Sequence, residues 1–295
     1  MTLGRTFRPG PPRGRVPSSG ATGPPLDRST TRHGVHPVLE ALAAGVVSEV
    51  FATGIDRPQV ASVVRRAMYL HVPVRDVSPG DLDRLTAGAR HQGVAATVRP
   101  HRYLTFDELR VRVAASSEAP FIIALDGVED PQNLGAVLRT AEGAGALAVV
   151  VGSRKTAPVT ASVARASAGA VDRVSMAQVE SLPAALALLK RDGFSVVGLD
   201  GSSTTAYDEA DLGGRVVLVA GSEGRGLGRP VVHACDALVR IPLHGAVASL
   251  NVSVAVAVVA FEARAQRRQA TDGVELVPAE TDSNRWLPML TPGDS

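Results

Sequence analysis

The stretch that decides the fold is residues 121–141, which read FIIALDGVEDPQNLGAVLRTA. An apolar strand over 121–125 is followed by a polar turn, and Pro131 then opens a helix with Asn133 where an N-cap is expected. Arg139 comes six residues after Asn133, so its long side chain can reach back toward the end of the strand. An arginine here is by itself an ordinary surface residue, but the Asn-x-Gly-x-x-x-Arg spacing directly after a strand favours a functional role.

The same strand-then-helix pattern continues to about residue 267. Further strands are predicted at 146–151, 173–176, 195–199, 216–220 and 237–241. Helices of 10 to 15 residues fit between most of them. This alternation is typical of an α/β fold with a mostly parallel sheet covered on both faces.

A second, smaller α/β unit is predicted before this one. It has strands at 46–52, 72–74 and 94–98, and helices at 58–70 and 79–86. We therefore divide the chain into an arm (1–32), a small domain (33–105), a polar linker (106–118), a large domain (119–267) and a disordered tail (268–295).

Composition excludes several classes of protein. The chain has 295 residues, of which 45% are hydrophobic, 20% charged and 3% aromatic, and its one cysteine is Cys235. A disulfide framework or a cysteine-based metal site needs several cysteines, so both are excluded. No apolar run approaches the roughly 20 residues of a membrane span, and no secretory signal is present. We expect a cytoplasmic protein without a membrane segment.

The basic charge is concentrated in the arm. Residues 1–32 carry six arginines and one acid, whereas the other 263 residues carry 25 bases and 28 acids, a net charge of −3. Glycine and proline fill 11 of the 32 positions, which predicts disorder. The arm either attracts RNA or is a solvated extension, and both interpretations stay open.

Two further motifs lie at predicted strand ends. Gly221-Ser-Glu223-Gly-Arg-Gly follows an apolar strand, and such glycine-rich turns let backbone N–H groups approach a ligand. It is neither a P-loop nor a G-x-G-x-x-G fingerprint, and Glu223 argues against simple binding of phosphate. After the last strand, Ser249 and Asn251 stand at the head of an apolar helix. Taken alone, Ser249 is predicted to cap that helix.

Together the three motifs resemble the SpoU (TrmH) family of the SPOUT methyltransferases, over about residues 121–267. Residues 34–42 (GVHPVLEAL) and 91–96 (HQGVAA) are similar to the N-terminal domain of the bacterial 23S ribosomal RNA guanosine 2′-O-methyltransferases. The resemblance covers about 230 residues and implies transfer of a methyl group from S-adenosylmethionine to a ribose 2′-hydroxyl of RNA.

The resemblance also implies an architecture and a site. The large domain is expected to end in a deep trefoil knot and to form a homodimer, and the small domain to be an L30e-like RNA-binding fold. The backbone at Gly221, Ile241 and Leu250 would hold S-adenosylmethionine, without a metal ion. The implied catalytic residues are Arg139, Asn133, Glu223, Ser249 and Asn251.

The chemistry is an in-line displacement, so the enzyme must align the 2′-oxygen with the methyl group and manage its proton. A guanidinium is always protonated in ordinary surroundings. We therefore assign Arg139 to RNA phosphate binding and charge stabilisation. The low aromatic content predicts recognition of RNA shape and phosphates rather than base stacking. Candidate contacts on the small domain are Arg65, Arg66, Arg90, Arg99 and Arg102.

Other functions remain open within and outside the family. The substrate could be tRNA, or a ribosomal nucleotide whose methylation confers antibiotic resistance. A non-catalytic RNA-binding assembly factor is a third hypothesis, against which the intact polar set speaks. A Rossmann oxidoreductase is disfavoured because the glycine-rich loop lies far from the first strand.

Overall fold

The computed structural model describes residues 30–271, with side chains to residue 269. Its first sheet has the strand order β1-β4-β2-β3. Strand β4 is antiparallel to both its neighbours, while β2 and β3 are parallel. The elements are β1 (Thr31–His33), α1 (Val35–Ala43), β2 (Val47–Ala52), α2 (Pro58–Tyr69), β3 (Val74–Asp76), α3 (Pro79–Leu85) and β4 (Val94–Val98).

The second sheet has the order β10-β8-β9-β5-β6-β7, and every ladder in it is parallel. Its strands are β5 (Phe121–Asp126), β6 (Ala148–Gly152), β7 (Met176–Val179), β8 (Ser195–Leu199), β9 (Val216–Gly221) and β10 (Ala237–Val239). Its helices are α4 (Phe106–Ala114), α5 (Pro131–Ala144), α6 (Ala161–Ala166), α7 (Leu182–Arg191), α8 (Arg229–Ala234) and α9 (Val252–Thr271). The predicted α/β fold with a mostly parallel sheet is confirmed.

Helices cover both faces of the second sheet. Ile123 and Leu125 of β5 pack with α5, α6 and α9, while Ile122 and Ala124 of the same strand pack with α4, α7 and α8. All four side chains are buried. The continuous apolar run of β5 is explained by this double burial, because successive side chains point to opposite faces.

The predicted linker contains a helix, which corrects the prediction for residues 106–114. Helix α4 begins with a capping box in which the Thr105 hydroxyl and the Glu108 carboxylate accept the N–H groups of each other's residues. Leu109 and Val113 of α4 are buried against the second sheet. This helix was not predicted because its few apolar residues alternate with charged ones, so the helical spacing is difficult to recognise.

The first strand and the last helix extend beyond the predicted domain limits. Thr31 and Arg32, assigned to the arm, lie in β1, and Arg32 Nη2 is 3.2 Å from Asp172 Oδ1 in a buried ion pair. This pair links the first sheet to the turn before β7, and long-range pairing of this kind leaves no local sequence signal. The rest of the predicted arm, 1–29, lies outside the described residues.

At the other end, α9 continues to Thr271, so the predicted tail begins later than residue 268. Residues 272–295 lie outside the described residues. Although α9 has 20 residues, no helix in the described part of the chain is long and apolar enough to cross a bilayer.

Strands β3, β6 and β7 begin two or three residues later than predicted, and in β3 and β7 a preceding turn uses the first residues. A 3₁₀ turn at Ala170–Asp172 is closed by a 3.0 Å hydrogen bond from Arg173 N to Ala170 O, and Val174 N also donates to Ala170 O (2.8 Å), so β7 starts at Met176. Likewise Val72 N donates to Ala67 O at the end of α2 (2.9 Å), and β3 starts at Val74.

Leu109→Ala should lower the free energy of unfolding by about 2–5 kcal/mol, because Leu109 is fully buried between α4 and the sheet. Val111→Ala in the same helix, where the side chain is 68% exposed, should change it by less than about 0.5 kcal/mol. Urea denaturation of both variants measures the difference. Equal stability of the two would mean that residues 106–114 are a linker after all.

Candidate active site

The carboxyl ends of β8, β9 and β10 and the chain before α9 enclose a cavity of about 510 Å³. Four segments supply its lining, within 199–201, 220–226, 239–243 and 248–255. In open parallel sheets, ligands bind outside the carboxyl ends of the strands, and this volume falls within the usual range of small-molecule sites. The cavity is therefore the candidate ligand site.

Gly221, the last residue of β9, allows the glycine-rich loop to fold onto itself. A Cβ atom at Gly221 would lie 2.2 Å from both the carbonyl carbon and the oxygen of Gly226. Gly226 N donates to Ser222 O (2.9 Å), and Gly228 N donates to Asp126 Oδ2 (2.8 Å). The loop is thus closed by its own backbone and anchored to the end of β5.

The side chain of Asn251 connects the three sequence motifs. Its Nδ2 donates to Asn133 Oδ1 (2.8 Å) and to Glu223 Oε1 (2.5 Å). Its Oδ1 accepts from Ser253 N (2.9 Å) and Ser253 Oγ (2.6 Å) at the start of α9. One amide therefore caps a helix and fixes two other polar residues beside the cavity.

The helix caps differ from those predicted. Asp130, not Asn133, caps α5, since Asp130 Oδ1 accepts from Gln132 N (3.0 Å) and Pro131 takes the first helical position. Asn133 lies in the first turn, where it is 6% exposed and free to meet Asn251. Ser249 does not cap α9, because Asn251 does, and Ser249 instead lines the cavity with an exposed side chain.

Most of the predicted site residues lie at the cavity. Its lining includes Gly221, Glu223, Ile241, Ser249, Leu250 and Asn251, and Asn133 joins them through Asn251. Within residues 30–271, the backbone N–H groups of Ile241 and Leu250 have no hydrogen-bond acceptor. These two amides are therefore available to a ligand.

Arg139 is not brought to the cavity. It is exposed on α5 and, among the described residues, is not part of the cavity lining. Arg139 instead lies close enough to Glu40 of α1 to act on its carboxylate. Burial raises the pKa of Glu40, and the charges of Arg173 and Arg139 lower this pKa less strongly. Arg139 thus lies in the region where the two sheets' helices approach each other.

The turn after β8 also belongs to the site, although it was not predicted from the sequence. Asp200 and Gly201 line the cavity, and Asp200 Oδ1 accepts from Ser202 N (2.8 Å) and Ser202 Oγ (2.7 Å). An Asp-Gly pair directly after a predicted strand was the available signal. Within residues 30–269, no group of three or more His, Cys, Asp or Glu side chains is placed to hold a metal ion.

Asn251→Asp separates the two roles of the Asn251 amide. Aspartate keeps the oxygen that caps α9 but loses the donor to Asn133 and adds a second carboxylate beside Glu223. The free energy of unfolding at pH 7 should fall by about 1–3 kcal/mol, measured by urea denaturation. Adding Glu223→Gln should recover part of the loss. Unchanged stability in the single variant would show that the helix cap is the only role of Asn251.

Comparison with known proteins identifies the family. Residues 120–261 match the SpoU rRNA Methylase family, and residues 33–104 match the family described as RNA 2′-O ribose methyltransferase substrate binding. An uncharacterized tRNA/rRNA methyltransferase of Mycobacterium ulcerans is 40% identical over 259 residues, covering 86% of this chain and 81% of that protein.

Two further relatives are similar over most of both chains. The 23S rRNA (guanosine-2′-O-)-methyltransferase RlmB of Vibrio cholerae is 39% identical over 80% of this chain and 95% of that protein. The AdoMet-bound rRNA methyltransferase of Sinorhizobium meliloti superposes with a TM-score of 0.66 at 28% identity, over 81% of this chain and 87% of that one. The resemblance predicted from the three motifs is confirmed, and the chain belongs to the SpoU rRNA methylase family.

Proposed function

We propose that this protein transfers a methyl group from S-adenosylmethionine to the ribose 2′-hydroxyl of a guanosine in 23S ribosomal RNA. The observation that carries the proposal is the Asn251 side chain, which gathers Asn133 and Glu223 at the cavity. The named activity of the Vibrio cholerae relative supports this substrate, and the AdoMet-bound relative supports the cofactor. We also propose that the protein is cytoplasmic, because a ribosomal RNA substrate would be available to it there.

The chemistry of the cavity fits S-adenosylmethionine. The free N–H groups of Ile241 and Leu250 suit the acceptor atoms of an adenine or ribose. The missing Cβ of Gly221 lets the loop at the cavity close against Gly226. Glu223 and Asp200 place two carboxylates in the lining of the cavity. A carboxylate favours a sulfonium cation and disfavours the phosphates of a dinucleotide. Backbone at Gly221, Ile241 and Leu250 would therefore hold the cofactor.

Bound S-adenosylmethionine supplies a methyl group that is already activated by the positive sulfur. The protein's residues have to position the ribose so that its 2′-oxygen forms a bond to the methyl carbon as the carbon–sulfur bond breaks. Ser249 stands at the cavity wall to orient the hydroxyl. Asn251, whose two amide hydrogens are donated to Asn133 and Glu223, fixes the segment that carries Ser249. The hydroxyl proton leaves to solvent or to a neighbouring polar group.

Arg139 would bind an RNA phosphate outside the cavity, which replaces the expectation that it stabilises charge on the 2′-oxygen itself. Its exposed position on α5, outside the cavity lining, suits a residue that meets a large substrate arriving from solvent. A guanidinium keeps its proton at neutral pH, so Arg139 is proposed as an electrostatic group rather than a base.

We further propose a homodimer that packs through α5 and α9. Val254 and Phe261, seven residues apart on one side of α9, are 47% and 51% exposed. Phe261 Cζ lies 3.5 Å from where a Cβ of Gly143 on α5 would be, so the two helices form one partly apolar face. Such a face supports burial against a second copy.

The trefoil knot is likewise a proposal for this chain. Strand β10 is at the edge of the second sheet, yet α9, which follows it, packs on α5 beside the central strands. The connection between them passes the glycine-rich loop, where Asn251 meets Glu223. This return of the chain across the loop supports the knot, and the four-stranded mixed sheet before it supports the L30e-like RNA-binding role.

The experiment is transfer of labelled methyl from S-adenosylmethionine to large-subunit ribosomal RNA and to bulk tRNA, each lacking other modifications. The modified ribose is then mapped. Label on one guanosine of the 23S RNA is expected. Label in tRNA would keep the chemistry and change the substrate. No label in either RNA, despite cofactor binding, would favour a non-catalytic assembly factor.

Gly221→Ala should weaken S-adenosylmethionine binding by more than about tenfold, because its Cβ would displace the loop at Gly226. Gly201→Ala is the matched control, since Gly201 also lines the cavity but a Cβ there meets nothing within 4 Å. Isothermal titration calorimetry measures both affinities. Equal binding by the two variants would show that the loop does not shape the cofactor site.

Arg139→Ala should lower methyl transfer by at least about a hundredfold and leave S-adenosylmethionine affinity within about twofold of the unaltered protein. The reason is that Arg139 lies outside the cavity and acts on the RNA. Single-turnover transfer and calorimetry separate the two effects. Near-normal turnover of the variant would exclude Arg139 from the reaction.

A further inference from the structure

Side-chain hydrogen bonds join α5 to α6 and α6 to the small domain, beginning next to Asn133 in the chain. Next to Asn133, which meets Asn251 at the cavity, Gln132 Nε2 donates to Ser162 Oγ of α6 at 3.2 Å. Arg165 comes one helical turn after Ser162. Arg165 Nη1 in turn lies 3.0 Å from His33 Nε2, at the end of β1. We call the surface formed by Gln132, Ser162, Arg165, His33 and Arg90 the polar track.

The hydrogen bonds of His33, at the junction of the two domains, define which of its ring nitrogens carries the proton. Because arginine can only donate, His33 Nε2 accepts from Arg165, and His33 Nδ1 donates to the Arg90 carbonyl at 3.4 Å. Burial lowers the pKa of His33, the Arg90 hydrogen bond opposes this, and the Arg165 charge lowers the pKa further. A neutral His33 thus joins the domains and leaves the positive charge to the arginines.

Arg165 and Arg90 are both exposed, and neither guanidinium has a carboxylate partner within residues 30–269. The acids at the start of the track are engaged elsewhere. Asp130 caps α5, and Glu129 Oε1 lies 3.7 Å from Arg225 Nη2. The track therefore presents two available cations beside hydrogen-bonding groups, which is the chemistry that binds a sugar-phosphate backbone.

We propose that the polar track is an RNA-binding site that spans both domains, with Arg165 and Arg90 contacting phosphates of the RNA whose ribose enters the cavity. The proposal rests on the proposed function, because it takes RNA as the substrate. RNA is the occupant because Gln132 directly precedes Asn133, which contacts the cavity residue Asn251, and because residues 33–104 match the family described as RNA 2′-O ribose methyltransferase substrate binding. Its two cations belong to different domains, so only a strand long enough to cross the junction can contact both.

Two variants separate binding from structure. Arg90→Ala leaves the junction intact, since His33 contacts only the Arg90 backbone. Arg165→Ala removes both the cation and the His33 contact, and Arg165→Lys restores the charge. Arg191→Ala is the control: Arg191 is an exposed arginine at the end of α7, on the other face of the sheet.

The full chain is tested by filter retention of labelled 23S ribosomal RNA and of bulk tRNA, between 50 and 200 mM salt, and by methyl transfer. Arg90→Ala and Arg165→Ala should each weaken retention of one RNA by about tenfold. Each should reduce the slope of log affinity against log salt by about one, and Arg165→Lys should recover most of the affinity. The RNA KM should rise more than kcat falls.

Retention and salt slopes equal to those of Arg191→Ala would overturn the proposal, as would absence of binding to either RNA by the unaltered chain. If retention falls as expected but no methyl is transferred to either RNA, the polar track stands and the proposed function fails. If methyl is transferred with the same KM in all variants, the proposed function stands and the polar track fails.

Discussion

The site depends on one side-chain amide, that of Asn251. Its nitrogen reaches Asn133, 118 residues earlier in the chain, and Glu223, 28 residues earlier, while its oxygen holds the first turn of α9. A primary amide has two donor hydrogens and an acceptor oxygen, so no other uncharged side chain except glutamine can make these contacts together. Because Asn133 is buried, loss of its partner would leave a polar group without a hydrogen bond, which disfavours any other arrangement of the three loops.

The parallel sheet makes this meeting possible. The carboxyl ends of β5, β8, β9 and β10 lie at one edge, so the loops that follow them converge although they are far apart in sequence. Gly221 adds a steric condition, since only a residue without Cβ lets the loop after β9 close against Gly226. A second close approach holds α6 to α5, where a Cβ on Gly135 would lie 2.4 Å from Ala166 Cβ. Helix α6 in turn contacts His33, so the small domain is joined to the helix that bears Asn133 and Arg139.

Much of this was predictable from sequence, because apolar alternation and turn residues report local structure directly. The strand at Val94–Val98 and the parallel order of the large domain follow from such patterns. Contacts between distant segments leave no such signal. Nothing local marks Arg32 as the buried partner of Asp172, or Asn251 as the partner of Asn133. Helix α4 was not predicted because only two of its side chains, Leu109 and Val113, are buried, which gives too weak an apolar pattern. For the candidate site, residue types and spacing identified six lining residues, whereas Asp200 and the surface position of Arg139 required the fold.

The central claim is that the loops gathered by Asn251 form the binding site for S-adenosylmethionine. A crystal structure of the full chain with S-adenosylhomocysteine tests it most directly. We predict that the ligand fills the cavity between the ends of β8, β9 and β10, with hydrogen bonds to the backbone at Gly221, Ile241 or Leu250 and the Asn251 contacts unbroken. A ligand bound at another place, or a bound state in which Asn251 has left Asn133 and Glu223, would contradict the account.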